Sequence, residues 1–211
     1  LNQPLTALLA NTQAAGRLLA EDPPDLDTAR QAMDQAAGQA RRAAEVVGRL
    51  RRAVEHADTA ARQPLSLDGA AREALHLLAP ELQRRGIAVQ VDGAPVQVLA
   101  DPVALEQIVH NLLMNAMQAL EQVPAGERRL VLAIDDAGGT GRLSVTDTGP
   151  GIAPEALPRL FEPFFTTRDG GMGLGLSLCE TLAERLGGRL EAGHHAPRGA
   201  AFHLSLPLAT P

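Results

Sequence analysis

One pattern runs through the first 58 positions. Leu1, Leu5, Leu8, Thr12, Ala15 and Leu19 are spaced alternately four and three residues apart. After a break, Leu26, Ala29, Met33, Ala36, Ala40, Ala43, Val47, Leu50, Val54 and Ala57 resume the alternation. Such steps average to a period of about 3.5, which marks a seam along one side of a supercoiled helix. The interruption, Glu21-Asp22-Pro23-Pro24-Asp25, holds two prolines that cannot continue a helix and an aspartate suited to cap the next one. Residues 1–58 are therefore predicted to form a helical hairpin whose second arm is about 45 Å long at ~1.5 Å per residue. An Ala-rich seam of that shape has too little core to stand alone. Two hairpins packed as a four-helix bundle, a homodimer through residues 1–58, satisfy it most simply. The competing arrangement docks the hairpin on the rest of its own chain.

Beyond the hairpin the period changes. Residues 59–66 read as a linker running into a strand, and residues 67–211 as a mixed α/β domain. Asp68 to about Arg85 is predicted helical, Ile87–Val91 and Val96–Leu99 alternate like strands, and Asp101–Gln122 reads as a helix with Pro102 in its first turn. Arg129–Asp135 and Arg142–Asp147 are predicted strands around a Gly138-Gly139-Thr140-Gly141 turn. A helix over Leu174–Leu186 ends at Gly187-Gly188, and strands over Arg189–Ala192 and Ala200–Leu206 follow.

Composition removes several chemistries. All 19 basic residues are Arg, so lysine Schiff bases and a P-loop lysine are excluded. The single cysteine, Cys179, excludes a disulfide framework and a multi-cysteine zinc site, and it reads as a buried packing residue. A net charge of -6, with four Phe and no Trp or Tyr, argues against nucleic acid as a partner. The acidic excess falls in residues 63–211, which carry 17 acidic residues against 11 Arg. No apolar run approaches the ~18 residues of a membrane span, and nothing reads as a secretory signal. The chain is thus expected to be soluble and cytoplasmic, without membrane contact of its own; membrane anchoring of a parent protein stays open.

Candidate chemistry sits in four stretches. Asn111 and Asn115 are four apart and share a helix face, where amide oxygens suit a Mg²⁺ ion that also takes phosphate oxygens. Asp147-Thr148-Gly149-Pro150-Gly151 follows a strand; its carboxylate can accept from an amine while the glycines let backbone approach a flat ligand. Phe161-Glu162-Pro163-Phe164-Phe165-Thr166-Thr167-Arg168 sets an apolar cluster beside two hydroxyls and a cation able to meet a phosphate. Gly171-Met172-Gly173-Leu174-Gly175-Leu176 opens a helix, where backbone N–H groups can face phosphate. Its glycine spacing is not that of a dinucleotide fingerprint. Paired surface amides, a plain turn and a core aromatic cluster are the plainer readings of the first three.

Taken in order, Asn115, DTGPG, FEPFFTTR and GMGLGL resemble the N box, first glycine box, F box and second glycine box of sensor histidine kinases, whose ATP-binding domain has the Bergerat fold shared with gyrase. Leu1-Asn2-Gln3-Pro4-Leu5 is similar to the tail of that family's phosphoacceptor box, His-Glu-Leu-Asn-Gln-Pro-Leu. The resemblance implies ATP and Mg²⁺ as cofactors. It implies Asn115 as metal ligand, Asn111 near the phosphates, Asp147 as acceptor of the adenine amino group, and Gly149 and Gly151 beside the base. Gly171, Gly173 and Gly175 would line the triphosphate. Phe161, Phe164 and Phe165 would hinge an ATP lid over residues 166–172, with Thr167, Arg168 and Leu174 in the same binding set.

Two departures bear on activity. None of the six histidines, His56, His76, His110, His194, His195 and His203, lies in a phosphoacceptor box. The acceptor is expected two residues before Leu1, so no catalytic residue is assigned in the chain and the 211 residues alone are not expected to autophosphorylate. Gyrase-like relatives carry a general-base Glu four residues before the Mg²⁺ Asn, where this chain has Asn111, which cannot take a proton. The resemblance therefore implies γ-phosphoryl transfer to a hairpin His and then to an Asp of a response-regulator receiver domain. A Bergerat ATPase and a non-catalytic dimerisation scaffold are the alternatives.

Overall fold

The computed structural model describes residues 2–21, 24–55, 62–167 and 173–209, and side chains are described outside 2–6, 41–55 and 137. The chain divides into two compact units, Leu1–Thr59 and Ala60–Pro211.

The first unit is a pair of helices, α1 (Asn2–Leu19) and α2 (Leu26–Glu55). Asp25 accepts a hydrogen bond from the Thr28 backbone N–H at 3.0 Å, which starts α2, and the Thr28 bonds hold its carboxyl below the usual carboxylate range. Of the seam positions, Ala15 and Ala29 are buried, whereas Leu26 is 65% and Met33 58% exposed and Leu19 also faces outward. One hairpin thus buries the seam at Ala15 and Ala29 and leaves Leu19, Leu26 and Met33 uncovered. The predicted helical residues 56–58 lie outside the described residues, as do Leu1, Asp22 and Pro23.

The second unit runs β1 (Gln63–Ser66), α3 (Leu67–Arg84), β2 (Ala88–Gly93), β3 (Gln97–Ala100), α4 (Pro102–Ala119), β4 (Arg129–Ala137), β5 (Thr140–Asp147), α5 (Gly175–Arg185), β6 (Arg189–His194) and β7 (Ala200–Pro207). Five strands form one sheet in the order β2-β4-β5-β7-β6, with β2 parallel to β4 and the other pairs antiparallel. Its inner face carries Leu130, Leu132, Ile134, Leu143, Val145, Leu204 and Leu206, all buried. The helices close over that face through Ala71 and Ala74 of α3, Leu105, Ile108, Leu112, Leu113 and Met117 of α4, and Cys179 and Leu182 of α5. Strict in–out alternation along β5 is what a sheet with one covered face requires. A separate antiparallel ribbon pairs β1 with β3.

Several boundaries differ from expectation for local reasons. The strand into which the linker is expected to run is Gln63–Ser66, and it pairs with β3. Thr140 and Gly141 are ladder residues rather than turn, because Gly138 and Gly139 alone, at φ 64° and 85°, make the two-residue reversal that an antiparallel hairpin favours. The helix expected to reach Gln122 stops at Ala119, and a 3-10 turn covers Leu120–Gln122. Asp101 is its cap rather than its first residue, and Leu174 likewise precedes α5.

Candidate functional site

α4 carries the two asparagines. Asp101 fixes its start by accepting from the Ala104 N–H at 2.7 Å, with Pro102 in the first turn where no N–H is needed. Asn111 and Asn115 sit half-buried on one stripe of this helix, and Ala119 continues the stripe one turn further. The Nδ2 of Asn111 is buried with no hydrogen-bond partner, a donor waiting for an acceptor. Glu106 lies exposed on another face.

The turn after β5 comes to the end of that stripe. A Cβ on Gly149 would lie 3.0 Å from Ala119 Cβ and 2.6 Å from Asp147 Oδ1, so only glycine lets the turn lie this close to α4. Asp147 is 2% exposed, and its Oδ1 accepts the backbone N–H of Gly149 at 2.7 Å and of Ala200 at 3.4 Å. Two backbone donors on one oxygen fix the carboxylate while leaving it an acceptor. Gly151, at φ 84°, passes the carbonyl of Gly199 at a Cβ distance of 3.1 Å.

The three clustered phenylalanines part company. Phe161 packs against the core; Phe165 lies under the Arg159 guanidinium, 4.5 Å from its ring centre; Phe164 is 65% exposed at φ 68°. The Phe164 N–H donates to Gly173 O at 2.9 Å, and a Cβ on Gly173 would stand 2.4 Å from Phe165 O. The backbone at Phe164 and Phe165 thus lies directly against Gly173. Thr167 is exposed, and Arg168 and Gly171 lie outside the described residues. Gly175 opens α5 with space around it, since a Cβ added there would meet nothing within 4 Å, and Leu174 before it is half-buried. Cys179, one turn into α5, is fully buried with Sγ 4.0 Å from Ile108 O, which sets the start of α5 beside the asparagine-bearing part of α4.

Gly199 is a site residue that spacing along the chain does not single out. At φ 135° it presses on the end of β5, where a Cβ would lie 1.8 Å from Asp147 O. The hint in the sequence is a Pro-Arg-Gly run before a strand, which reads as an ordinary turn. Among the described residues no group of three or more His, Cys, Asp or Glu side chains is placed to hold a metal.

Residues 100–210 match the family of histidine kinase-, DNA gyrase B-, and HSP90-like ATPases. The chain belongs to this family. The sensor protein FixL of Bradyrhizobium diazoefficiens is 37% identical over 215 residues, covering 99% of this chain and 42% of that protein. The sensor histidine kinase TmoS of Ectopseudomonas mendocina is 31% identical over 214 residues, covering 99% of this chain and 22% of that protein. Among solved structures, full-length ShkA in complex with AMPPNP aligns with a TM-score of 0.68 at 26% identity, over 100% of this chain and 46% of that one. The chain spans less than half the length of the curated relatives it matches. The second unit is thus a histidine kinase catalytic domain of the Bergerat fold, an ATP-binding domain. No helix among the described residues is long and apolar enough to cross a membrane.

Proposed function

We propose that this domain holds Mg-ATP and, in the intact protein, donates the γ-phosphoryl group to a histidine of the helical hairpin, from which it passes to an aspartate of a response-regulator receiver. The observation that carries the reading against ATP hydrolysis is Asn111. It occupies the helix position from which a carboxylate would activate water, and its amide can donate to phosphate but cannot accept a proton. Glu106, the nearby carboxylate of α4, faces away.

The parts then take these roles. Asp147, held by Gly149 and Ala200, accepts from the adenine amino group, and Gly149 and Gly151 pass the base. Asn111 donates to phosphate oxygen, and Asn115 offers its amide oxygen to Mg²⁺. That ion, when bound, neutralises charge across the phosphates. The residues fit such a pair: an orphaned buried donor on Asn111, a glycine-lined approach at 149, and open space over Gly175 at a helix start. Phe164 and Gly173 hold Thr167 at the end of the described segment, where its hydroxyl can reach the triphosphate. The attacking group is a neutral imidazole nitrogen, which takes the phosphoryl group in line as ADP leaves. Positioning and electrostatics supply most of the acceleration.

The hairpin works as a homodimer. Its exposed Leu19, Leu26 and Met33 continue the seam and gain a cover when two hairpins form a four-helix bundle. The receiver docks on that bundle.

The test is transfer from γ-labelled ATP with Mg²⁺, using a chain that includes the native residues preceding Leu1. Label that is acid-labile and base-stable, and that moves on to a receiver domain, is the expected result. Free phosphate without protein label would replace the kinase with a hydrolase. Absence of nucleotide binding would leave a dimerisation scaffold.

A further inference from the structure

Thr148 is bonded on three sides, and every partner lies outside its own turn. Its N–H donates to Arg129 O at 3.2 Å, and its hydroxyl donates to Glu127 O at 2.8 Å while accepting the Arg129 N–H at 3.0 Å. Its carbonyl accepts from Arg198 Nε at 3.3 Å. Arg198 Nη2 also lies 3.6 Å from Glu127 Oε2. Three separated segments therefore converge on one residue: the loop before β4, the turn after β5 and the loop between β6 and β7.

The consequence lies in the peptide between residues 148 and 149. Its carbonyl is the group Arg198 holds, and its N–H is the group that donates to Asp147 Oδ1 at 2.7 Å. A peptide is a rigid plane, so fixing one end fixes the other. The hydroxyl of Thr148 anchors the near side of the same plane to the strand entry. We propose that Thr148, Arg198 and Glu127 form a clamp that sets the Asp147 carboxylate for an amine on a purine, as positioning residues that do not touch the nucleotide. This rests on the reading of Asp147 as the adenine acceptor.

The test compares ATP with inosine triphosphate, which carries a carbonyl where adenine carries its amine. Both are titrated by calorimetry into the full chain and into Thr148→Val, Thr148→Ser and Arg198→Gln. Thr148→Val keeps the side-chain shape and removes both hydroxyl bonds. It is expected to weaken ATP about fivefold, the low end for two lost hydrogen bonds, and to leave inosine triphosphate within about twofold. The preference for ATP therefore falls. Thr148→Ser is expected to restore it, and Arg198→Gln to lower it without adding fully to Thr148→Val in the double variant. An unchanged preference for ATP in Thr148→Val, whether both nucleotides weaken equally or neither does, overturns the clamp. A wild type that binds the two nucleotides alike instead overturns the role of Asp147 itself, so the two failures are distinguishable.

Discussion

Replacing Gly199 by alanine probes fold and site together. The added methyl would stand 1.8 Å from Asp147 O and 3.0 Å from Asp147 C, both backbone atoms at the end of a central strand. No rotamer relieves such a contact. Reaching an ordinary carbon–oxygen separation requires the loop between β6 and β7 to retreat by roughly 1.5 Å on van der Waals grounds. That retreat strains the bond from His195 N–H to Gly199 O, 3.0 Å, and opens the bond from Ala200 N–H to Asp147 Oδ1, already 3.4 Å. A φ of 135° adds a conformational cost of about 1–3 kcal/mol for a residue with a Cβ, and the overpacking about 1–3 kcal/mol more. At about 2–4 °C per kcal/mol, the melting temperature should drop by roughly 10 °C. ATP affinity should fall by roughly tenfold or more, because a reacting or binding group displaced by about 1 Å loses most of its alignment. Gly193→Ala is the matched control, since a methyl there meets nothing within 4 Å. Thermal melts and ATP titrations on both variants check this. A Gly199→Ala protein that melts and binds like Gly193→Ala would refute the reasoning.

Other substitutions separate the parts. Gly175→Ala meets no protein atom within 4 Å and gains about 1 kcal/mol of helix propensity, so the melting temperature should not fall; ATP affinity should still drop roughly tenfold as the methyl enters the phosphate cradle, read by calorimetry. Asp101→Ala removes the cap of α4 and should cost about 1–2 kcal/mol, a melting-temperature loss of about 3–6 °C. Glu81 is held at a pKa of about 2 by hydrogen bonds from Arg84 and Arg85, below its ordinary 4.5. Its contribution is therefore complete above about pH 4.5 and disappears as pH falls towards 2, so the melting-temperature gap between wild type and Glu81→Gln should close over that window.

The elements are legible in the sequence because their physics is local. Alternation along residues 142–147 marks β5, and Pro102 and Gly187 mark helix ends. The linker's run into a strand near Gln63–Ser66 is legible, but its pairing is not, because that ladder depends on β3, more than thirty residues away. The site divides in the same way. Asn111, Asn115, Asp147 and the glycines stand out by residue type and order. Gly199 and Arg198 do not, because their importance comes from touching residues 147 and 148 across the sheet, a long-range closeness that spacing does not encode. The phenylalanine cluster reads as one apolar unit, yet a left-handed turn at Phe164 sends its three rings to different surroundings.

Titration of ATP with Mg²⁺ into wild type and Asp147→Asn tests the central claim most directly. Asparagine keeps an oxygen to accept the Gly149 N–H and so preserves the turn, but its own N–H₂ opposes an incoming amine. Saturable binding by the wild type, with affinity at least roughly tenfold weaker in Asp147→Asn at an unchanged melting temperature, is the predicted result; a loss of that size is what an unpaired buried donor costs. Equal affinity in the two proteins would contradict the assignment of this turn as the nucleotide's anchor.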